Sequence, residues 1–184
     1  MDTPRRPLEH PIPPLSDGVV ALRGWRTDDL PAIVRMCSDE LSARFTTVPA
    51  PYGAEDARVW LASHPDSRAA GRSIAFAAIE PPSDQPLASI GLSILDPGMG
   101  EIGYLADPAA RGRGIVTRGV GLICEWGFGE LGLERLQLTT HPGNRSSQRV
   151  AEKCGFRREG VLRRYGLQRG DRVDLVMWGR LPGD

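Results

Sequence analysis

Apolar and polar residues alternate in short runs through the first half of the chain, and from residue 115 onward they recur at helical spacing between short strand-like segments. The run VVALRGW, residues 19–25, predicts a strand. TDDLPAIVRMCSDE, residues 27–40, predicts a helix: Thr27 stands as N-cap, acids occupy the first turn, and apolar residues fall at 30, 33, 34 and 36. A second helix is expected with PYGAEDARVWLAS. SIAFAAIE (73–80) and LASIGLSILD (87–96) are β-rich runs split by the turn cluster PPSDQP, and GEIGYLA (100–106) makes a third consecutive strand. The rhythm then changes to helix 115–131, strand 135–140, helix 144–154, and a strand pair near 156–161 and 172–181. Antiparallel strands first and α/β alternation second predict an α+β fold, a mixed, mostly antiparallel twisted sheet of about seven strands with helices on both faces.

With 184 residues and 40% hydrophobic content, the chain supports one domain with a real core, expected over 16–184. Residues 1–15 read as a disordered or extended arm, because prolines at 7, 11, 13 and 14 forbid a helix and no apolar run follows the basic start. No stretch approaches 18 consecutive apolar residues, so no membrane partner is expected. Cys37, Cys124 and Cys154 are odd in number, widely spaced and without histidines at metal spacing, which points to reduced thiols, a cytoplasmic setting and no metal site. The charge sums to zero but is unevenly distributed: residues 1–110 carry 9 basic and 15 acidic side chains, whereas residues 111–172 carry 13 and 6. A basic half of this kind fits an anionic ligand or a scattered solvated surface equally well.

The stretch YLADPAARGRGIVTRGV, residues 104–120, decides between them. It sets Gly112 and Gly114 among arginines where a strand gives way to a helix, although glycine within a helical turn costs roughly 1 kcal/mol against alanine. Exposed amides at a helix start, with no side chain to keep a phosphate away, make an anion site. The Gly-Lys-Ser/Thr ending of a Walker loop is absent, and no GxGxxG follows the first strand. By itself the pair of glycines also fits a plain tight turn.

Residues 111–116 resemble the Q/RxxGxG/A acyl-CoA signature of the GNAT superfamily of N-acyltransferases; Arg111 and Gly114 match, and Val116 departs from the final small residue. GEIGYLADPAARGRGIVTRGV followed by NRSSQRVAEKCGFRREGVLR (144–163) looks like the RimJ/RimL-type branch, and LRGWRTDDLPAI and PYGAEDARVWL extend the likeness over nearly the whole chain. The resemblance implies a GNAT-like sheet and acetyl-CoA, or another acyl-CoA, as co-substrate. It implies that Gly103, Tyr104, Leu105 and Ala106 pair with the pantetheine arm like an added strand. The turn amides, from Arg111, Gly112, Arg113 and Gly114 to Ile115, Val116 and Thr117, would receive the pyrophosphate. Arg111, Arg113, Arg118 and Arg149 become candidate phosphate contacts. Asn144 would hydrogen-bond the pantetheine portion, a role compatible with capping the helix that follows it.

Acetyl transfer to an amine needs a neutral nucleophile, a stabilised oxyanion and a protonated leaving thiolate. By the same resemblance Glu101 is the candidate base, the Leu105 amide the oxyanion donor, and Ser147 the group near the thiolate, with Tyr165 as its competitor. Glu101 also reads as an ordinary surface glutamate and Ser147 as an ordinary helix serine. An α-amine of pKa about 8 costs roughly 1.4 kcal/mol to deprotonate at pH 7 and a lysine of pKa about 10.4 near 4.6, so one base suits the weaker amine. The expected acceptor is an amine-bearing small molecule or a protein N-terminus, chosen by Trp25, Arg26, Phe45, Tyr52 and the 162–172 hairpin, although Trp25 and Phe45 read equally as core. A homodimer is allowed but not required. The competing reading is a non-catalytic acyl-CoA-binding regulatory module; nucleic acid is set aside because the arginines lack interleaved aromatics.

Overall fold

Each element forms where the chain can bury one face of itself. A computed structural model describes residues 6–184, so residues 1–5 of the expected arm lie outside the described residues. From residue 6 the arm runs without helix, as its prolines require, but it is tied down. Leu8 is buried, its N–H donates to the Arg68 carbonyl at 2.9 Å, and the His10 ring stands edge-on to Phe76.

Among the described residues eight strands make one sheet: β1 (Leu15–Ser16), β2 (Ala21–Gly24), β3 (Ser73–Ile79), β4 (Ala88–Asp96), β5 (Met99–Ala106), β6 (Arg135–Thr140), β7 (Arg157–Gln168) and β8 (Asp171–Arg180). Their spatial order is β1-β2-β3-β4-β5-β6-β8-β7, and only β5 and β6 pair in parallel. The count exceeds the expected seven because Leu15 and Ser16 pair with Leu22 and Ala21, a bridge too short to carry a periodicity. The last hairpin is also longer than its apolar pattern predicts. β7 lies at the sheet edge with most side chains in solvent, so its arginine-rich second half continues the ladder without alternating apolar residues.

Six α-helices among the described residues accompany the sheet: α1 (Leu30–Cys37), α2 (Glu40–Phe45), α3 (Ala54–Ala62), α4 (His64–Ala69), α5 (Ile115–Gly129) and α6 (Arg145–Lys153). The single helix expected over 27–40 is divided. A 3-10 turn at Thr27–Asp29 leads into α1, and Asp39 starts α2 by accepting the Ser42 N–H at 2.9 Å. Thr27 is not the cap; the Asp29 carboxylate accepts the Arg26 N–H at 2.8 Å instead.

Register puts opposite chemistry on the two sheet faces. Phe76, Ile90 and Tyr104 stand in one row and Ile74, Leu92 and Ile102 in the next, facing the core built with Val120, Ile123 and Trp126 of α5 and Ala151 of α6. The other face carries Ala75, Gly91 and Gly103 in one row and Ser73, Ser93 and Glu101 in the next, beneath α1 and α3. Gly100 is set by crowding: a Cβ there would meet Leu92 Cδ1 at 2.8 Å and Leu133 Cδ1 at 3.0 Å.

A buried ion pair fixes the start of α1. Arg23 on β2 is 8% exposed and Asp29 5% exposed; the guanidinium donates to both Asp29 oxygens, at 2.7 and 2.9 Å, and to Asp84 Oδ1 at 2.6 Å. Removing one partner of such a pair strands a buried charge. Asp29→Ala is therefore expected to lower the unfolding free energy by about 3 kcal/mol in chemical denaturation, with Asp29→Asn losing less. A loss below about 1 kcal/mol would mean that Asp84 alone satisfies Arg23.

Candidate active site

β5 and β6 begin as parallel neighbours and then part. Pairing runs from Met99 with Arg135 to Glu101 with Gln137 and stops there. β6 continues to Thr140 against β8, and β5 continues to Ala106 against β4. From Ile102 to Ala106 the backbone groups of β5 directed away from β4 thus face a cleft instead of a strand. Gly103 is exposed, and Tyr104, Leu105 and Ala106 are half-buried along it.

At the end of β5 the chain passes through a 3-10 turn, Pro108–Ala110, capped by Asp107, whose Oδ1 accepts the Ala109 N–H at 2.9 Å. Gly112 and Gly114 then take φ of +75° and +82°, the left-handed region that favours glycine. Gly114 is the N-cap of α5, so the amides of Ile115, Val116 and Thr117 lie in its first turn, where no intrahelical carbonyl precedes them. A Cβ at either glycine would meet nothing within 4 Å, so backbone conformation and open space, not packing, account for them.

The arginines around this turn are held by carboxylates from the first half of the chain. Arg111 pairs with Asp39 and donates to Ser42 Oγ at 3.2 Å, Arg113 pairs with Glu80, and Arg118 meets Asp17 at 2.6 Å. The Arg111 guanidinium holds the Asp39 carboxyl at about 2. Arg149 lies exposed on α6.

Across the cleft, the Tyr104 hydroxyl reaches α6, where it donates to the Ser147 carbonyl at 3.1 Å and lies 2.7 Å from Ser147 Oγ. Burial pushes the phenol up to about 12, so it keeps its proton at neutral pH. Asn144 caps α6: its Oδ1 accepts the Ser147 N–H at 3.1 Å and the Ser146 hydroxyl at 2.8 Å. Glu101 sits on the face opposite the main core, where its Oε2 accepts Gln137 Nε2–H at 2.9 Å and Ser93 is its cross-strand neighbour. Tyr165 is not brought to this group; it is 57% exposed on β7.

Beneath α1 and α3 the Gly103 and Leu105 face of β5 opens into a cavity of about 730 Å³. Trp25 and Tyr52, named from the sequence, line it, whereas Arg26 pairs with Asp84 and Phe45 packs against His141 at 5.3 Å. The 162–172 hairpin acts at one remove. Arg169 Nη2 donates to the Ala43 carbonyl at 2.9 Å, bracing the segment whose Thr46–Pro49 stretch forms part of the wall. Sequence reasoning missed Met36, Val59, Trp60 and His64, which line the cavity from helices whose apolar residues read as ordinary core. Tyr104 was read only for its backbone; its facing serine, 43 positions away, gives no local signal.

Residues 20–157 match the family model described as an acetyltransferase (GNAT) domain. An uncharacterized N-acetyltransferase p20 of Bacillus licheniformis is 24% identical over 164 residues, 88% of this chain and 92% of its own length. Among solved structures, Mycobacterium smegmatis RimJ in complex with CoA-disulfide aligns with a TM-score of 0.79 at 21% identity, over 90% of this chain and 83% of that one. RimL, the ribosomal L7/L12 α-N-protein acetyltransferase in complex with coenzyme A, aligns at 0.80 and 18% identity, over 91% and 96%. Among the described residues no helix is long and apolar enough to cross a membrane, and no cluster of metal-ligating side chains occurs. The cleft at β5, the left-handed glycine turn and the matched family model together identify the chain as a member of the GNAT acetyltransferase family, a transferase with acyl-CoA as its co-substrate.

Proposed function

We propose that this protein transfers an acetyl group from acetyl-CoA to a primary amine by direct attack with both substrates bound. The observation that carries the reading is the parting of β5 from β6 directly above the cavity. It gives one strand an unpaired backbone edge for an extended arm and a second face for an acceptor. In this reading Gly103 to Ala106 take the pantetheine, and the amides at Gly112 to Thr117, with Arg111, Arg113, Arg118 and Arg149 nearby, take the pyrophosphate.

The residues divide the chemistry as follows. Glu101, oriented by Gln137, draws the proton from the ammonium directly or through one water, leaving a neutral nucleophile. The Asp107 N–H donates to the Leu87 carbonyl, so by alternation Leu105 also faces β4 and is not the expected donor; the amides of Tyr104 and Ala106 point to the cleft, and one of them meets the developing oxyanion. Tyr104 and Ser147 lie where the thiolate departs. A phenol near 12 does not surrender its proton to a thiolate whose conjugate acid titrates at about 8.5, so Tyr104 turns its single O–H from the Ser147 carbonyl to hydrogen-bond the sulfur, the Ser147 hydroxyl orients it, and the departing thiolate takes its proton from water. Asn144 positions Ser147 by fixing the first turn of α6. Tyr165 has no part in this arrangement. That the structurally similar RimL is named as an acetyltransferase of a protein α-amine supports a primary amine as acceptor.

Three outcomes are expected. Gly114→Val forces a β-branched side chain into the left-handed region and blocks close approach to the turn, so acetyl-CoA affinity should fall at least tenfold by calorimetry on folded protein. Unchanged affinity would remove the pyrophosphate from this turn. Glu101→Gln should lower turnover at constant acetyl-CoA affinity, with the deficit shrinking as pH rises toward the acceptor's own pKa; a pH-independent deficit would assign Glu101 to binding or packing. Tyr104→Phe should slow transfer by about tenfold to a hundredfold, and Ser147→Ala by less, while acetyl-CoA still binds. If both are silent and Tyr165→Phe slows transfer, the donor lies on β7 instead.

A further inference from the structure

We infer that the acceptor is a small primary amine with an aromatic or aliphatic body and no carboxylate beside the amine, that is, an arylalkylamine rather than a free amino acid. This rests on the acyl-transfer reading above. Its basis is the composition of the cavity wall. About 730 Å³ is room for a small organic molecule and far more than a simple alkylamine fills. The roof is Trp25, Ile33, Met36, Tyr52, Val59 and Trp60, with the two indoles edge-to-face at 5.7 Å. The floor is built from small residues of β3, β4 and β5, which leave the volume open: Ser73, Ala75, Ser89, Gly91, Ser93 and Gly103.

Among the described residues no lysine or arginine lines the cavity; its charged residues are Glu55 and Asp56, both exposed and so at its rim. Arg58 pairs with Glu55 at 3.0 Å but stands outside the lining. Asp56 accepts the Gly53 N–H at 2.8 Å. His64 is the remaining titratable ring. One of its nitrogens donates to the Trp60 carbonyl at 2.7 Å, and burial lowers its pKa, so it offers a neutral acceptor and not a cation. A carboxylate carried into this space would meet hydroxyls and the unpartnered Trp25 indole N–H but no cation to balance its charge, whereas an ammonium approaches past two acids. Arg111, Arg113 and Arg118 at the glycine turn are already paired there, and Arg68 near His64 and Arg169 beside Thr47–Pro49 stand outside the lining. A second ammonium, as in a polyamine, would have to enter the indole and aliphatic roof. A peptide would bring further N–H and C=O groups against that same roof, which offers them few partners.

The test uses the full chain, acetyl-CoA and thiol release, with acceptors matched in body and differing in charge, compared at equal free-amine concentration. Tryptamine should exceed tryptophan and spermidine in kcat/KM by at least about thirtyfold, and ethylamine and a tetrapeptide beginning with tryptophan should both fall below tryptamine. Equal use of tryptophan or spermidine, or preference for the peptide or for ethylamine, would overturn the inference while leaving acyl transfer intact. No transfer to any amine by protein that binds acetyl-CoA would overturn the transfer reading and this one together. Gly91→Leu gives an independent check. A Cβ at Gly91 meets only backbone oxygens at 3.8 Å, so the backbone accepts it and the longer side chain fills the cavity. KM for tryptamine should then rise at least tenfold while KM for ethylamine and acetyl-CoA affinity stay within about twofold; parallel losses for both amines, or none for either, would count against an arylalkyl body in this space.

Discussion

Three ladder positions hold β5 to β6, and the organisation of the site depends on the pairing ending there. A buried peptide group without a partner costs about 1–3 kcal/mol, so a strand cannot simply leave its neighbour inside a sheet. Here β5 leaves at an open cleft, where solvent or a bound chain can satisfy it. The approach before the split is tight, since Gly100 admits no Cβ beside Leu92 and Leu133. Beyond the split, the Tyr104 side chain bridges to Ser147 of α6, so the two diverging parts remain tied where their strands no longer pair with each other. The glycine turn follows directly because β5 ends at Ala106 and α5 begins at Ile115.

The uneven charge of the two halves finds a structural explanation in the same place. Asp17, Asp39 and Glu80, all from the acidic first half, neutralise Arg118, Arg111 and Arg113 of the basic second half. A phosphate arriving at the turn meets arginines that already have partners, so it must add to or displace these pairs. Asp39 also caps α2, the helix that leads into the Thr46–Pro49 wall of the cavity. The Arg111–Asp39 pair therefore joins the turn physically to the segment bordering the acceptor space. Arg169, reaching the Ala43 carbonyl from the far hairpin, holds that segment from the other side.

What the sequence made legible follows the strength of its periodicities. β3, β4 and β5 read clearly because their alternating residues pack on one core, and the glycine turn read clearly because positive φ leaves a residue-type signature. β1 and the second half of β7 did not: one is a two-residue bridge and the other an edge strand without an apolar face. The division of 27–40 into two helices escaped because Asp39 was read as the end of one helix and is the cap of the next. At the candidate site, Glu101, Ser147 and Asn144 are named by resemblance, and the structure adds Gln137 as the partner of Glu101 and Tyr104 as that of Ser147, contacts across many residues that no local pattern encodes. Trp60 and Met36 were invisible as cavity residues because a helix face lining an open space has the same composition as one facing a packed core.

One strand thus meets three environments with three sets of atoms. Ile102 and Tyr104 point into the core side, Gly103 and Leu105 toward the cavity, and the peptide groups between them into the cleft. A strand is suited to this because successive side chains alternate while the backbone edge runs perpendicular to both. The requirements barely interfere: the edge constrains backbone path, the core constrains Ile102 and Tyr104, and the cavity asks only that Gly103 stay small and Leu105 apolar. The cavity walls from α1 and the Thr46–Pro49 segment are tied to the turn by side chains: Arg35 of α1 reaches Asp107 at 2.6 Å, and Asp39 at the start of α2 pairs with Arg111. The turn is set by backbone conformation, which leaves a glycine signature, whereas the cavity is set by side chains facing open space, which read like core; that is why only the first is marked in the sequence.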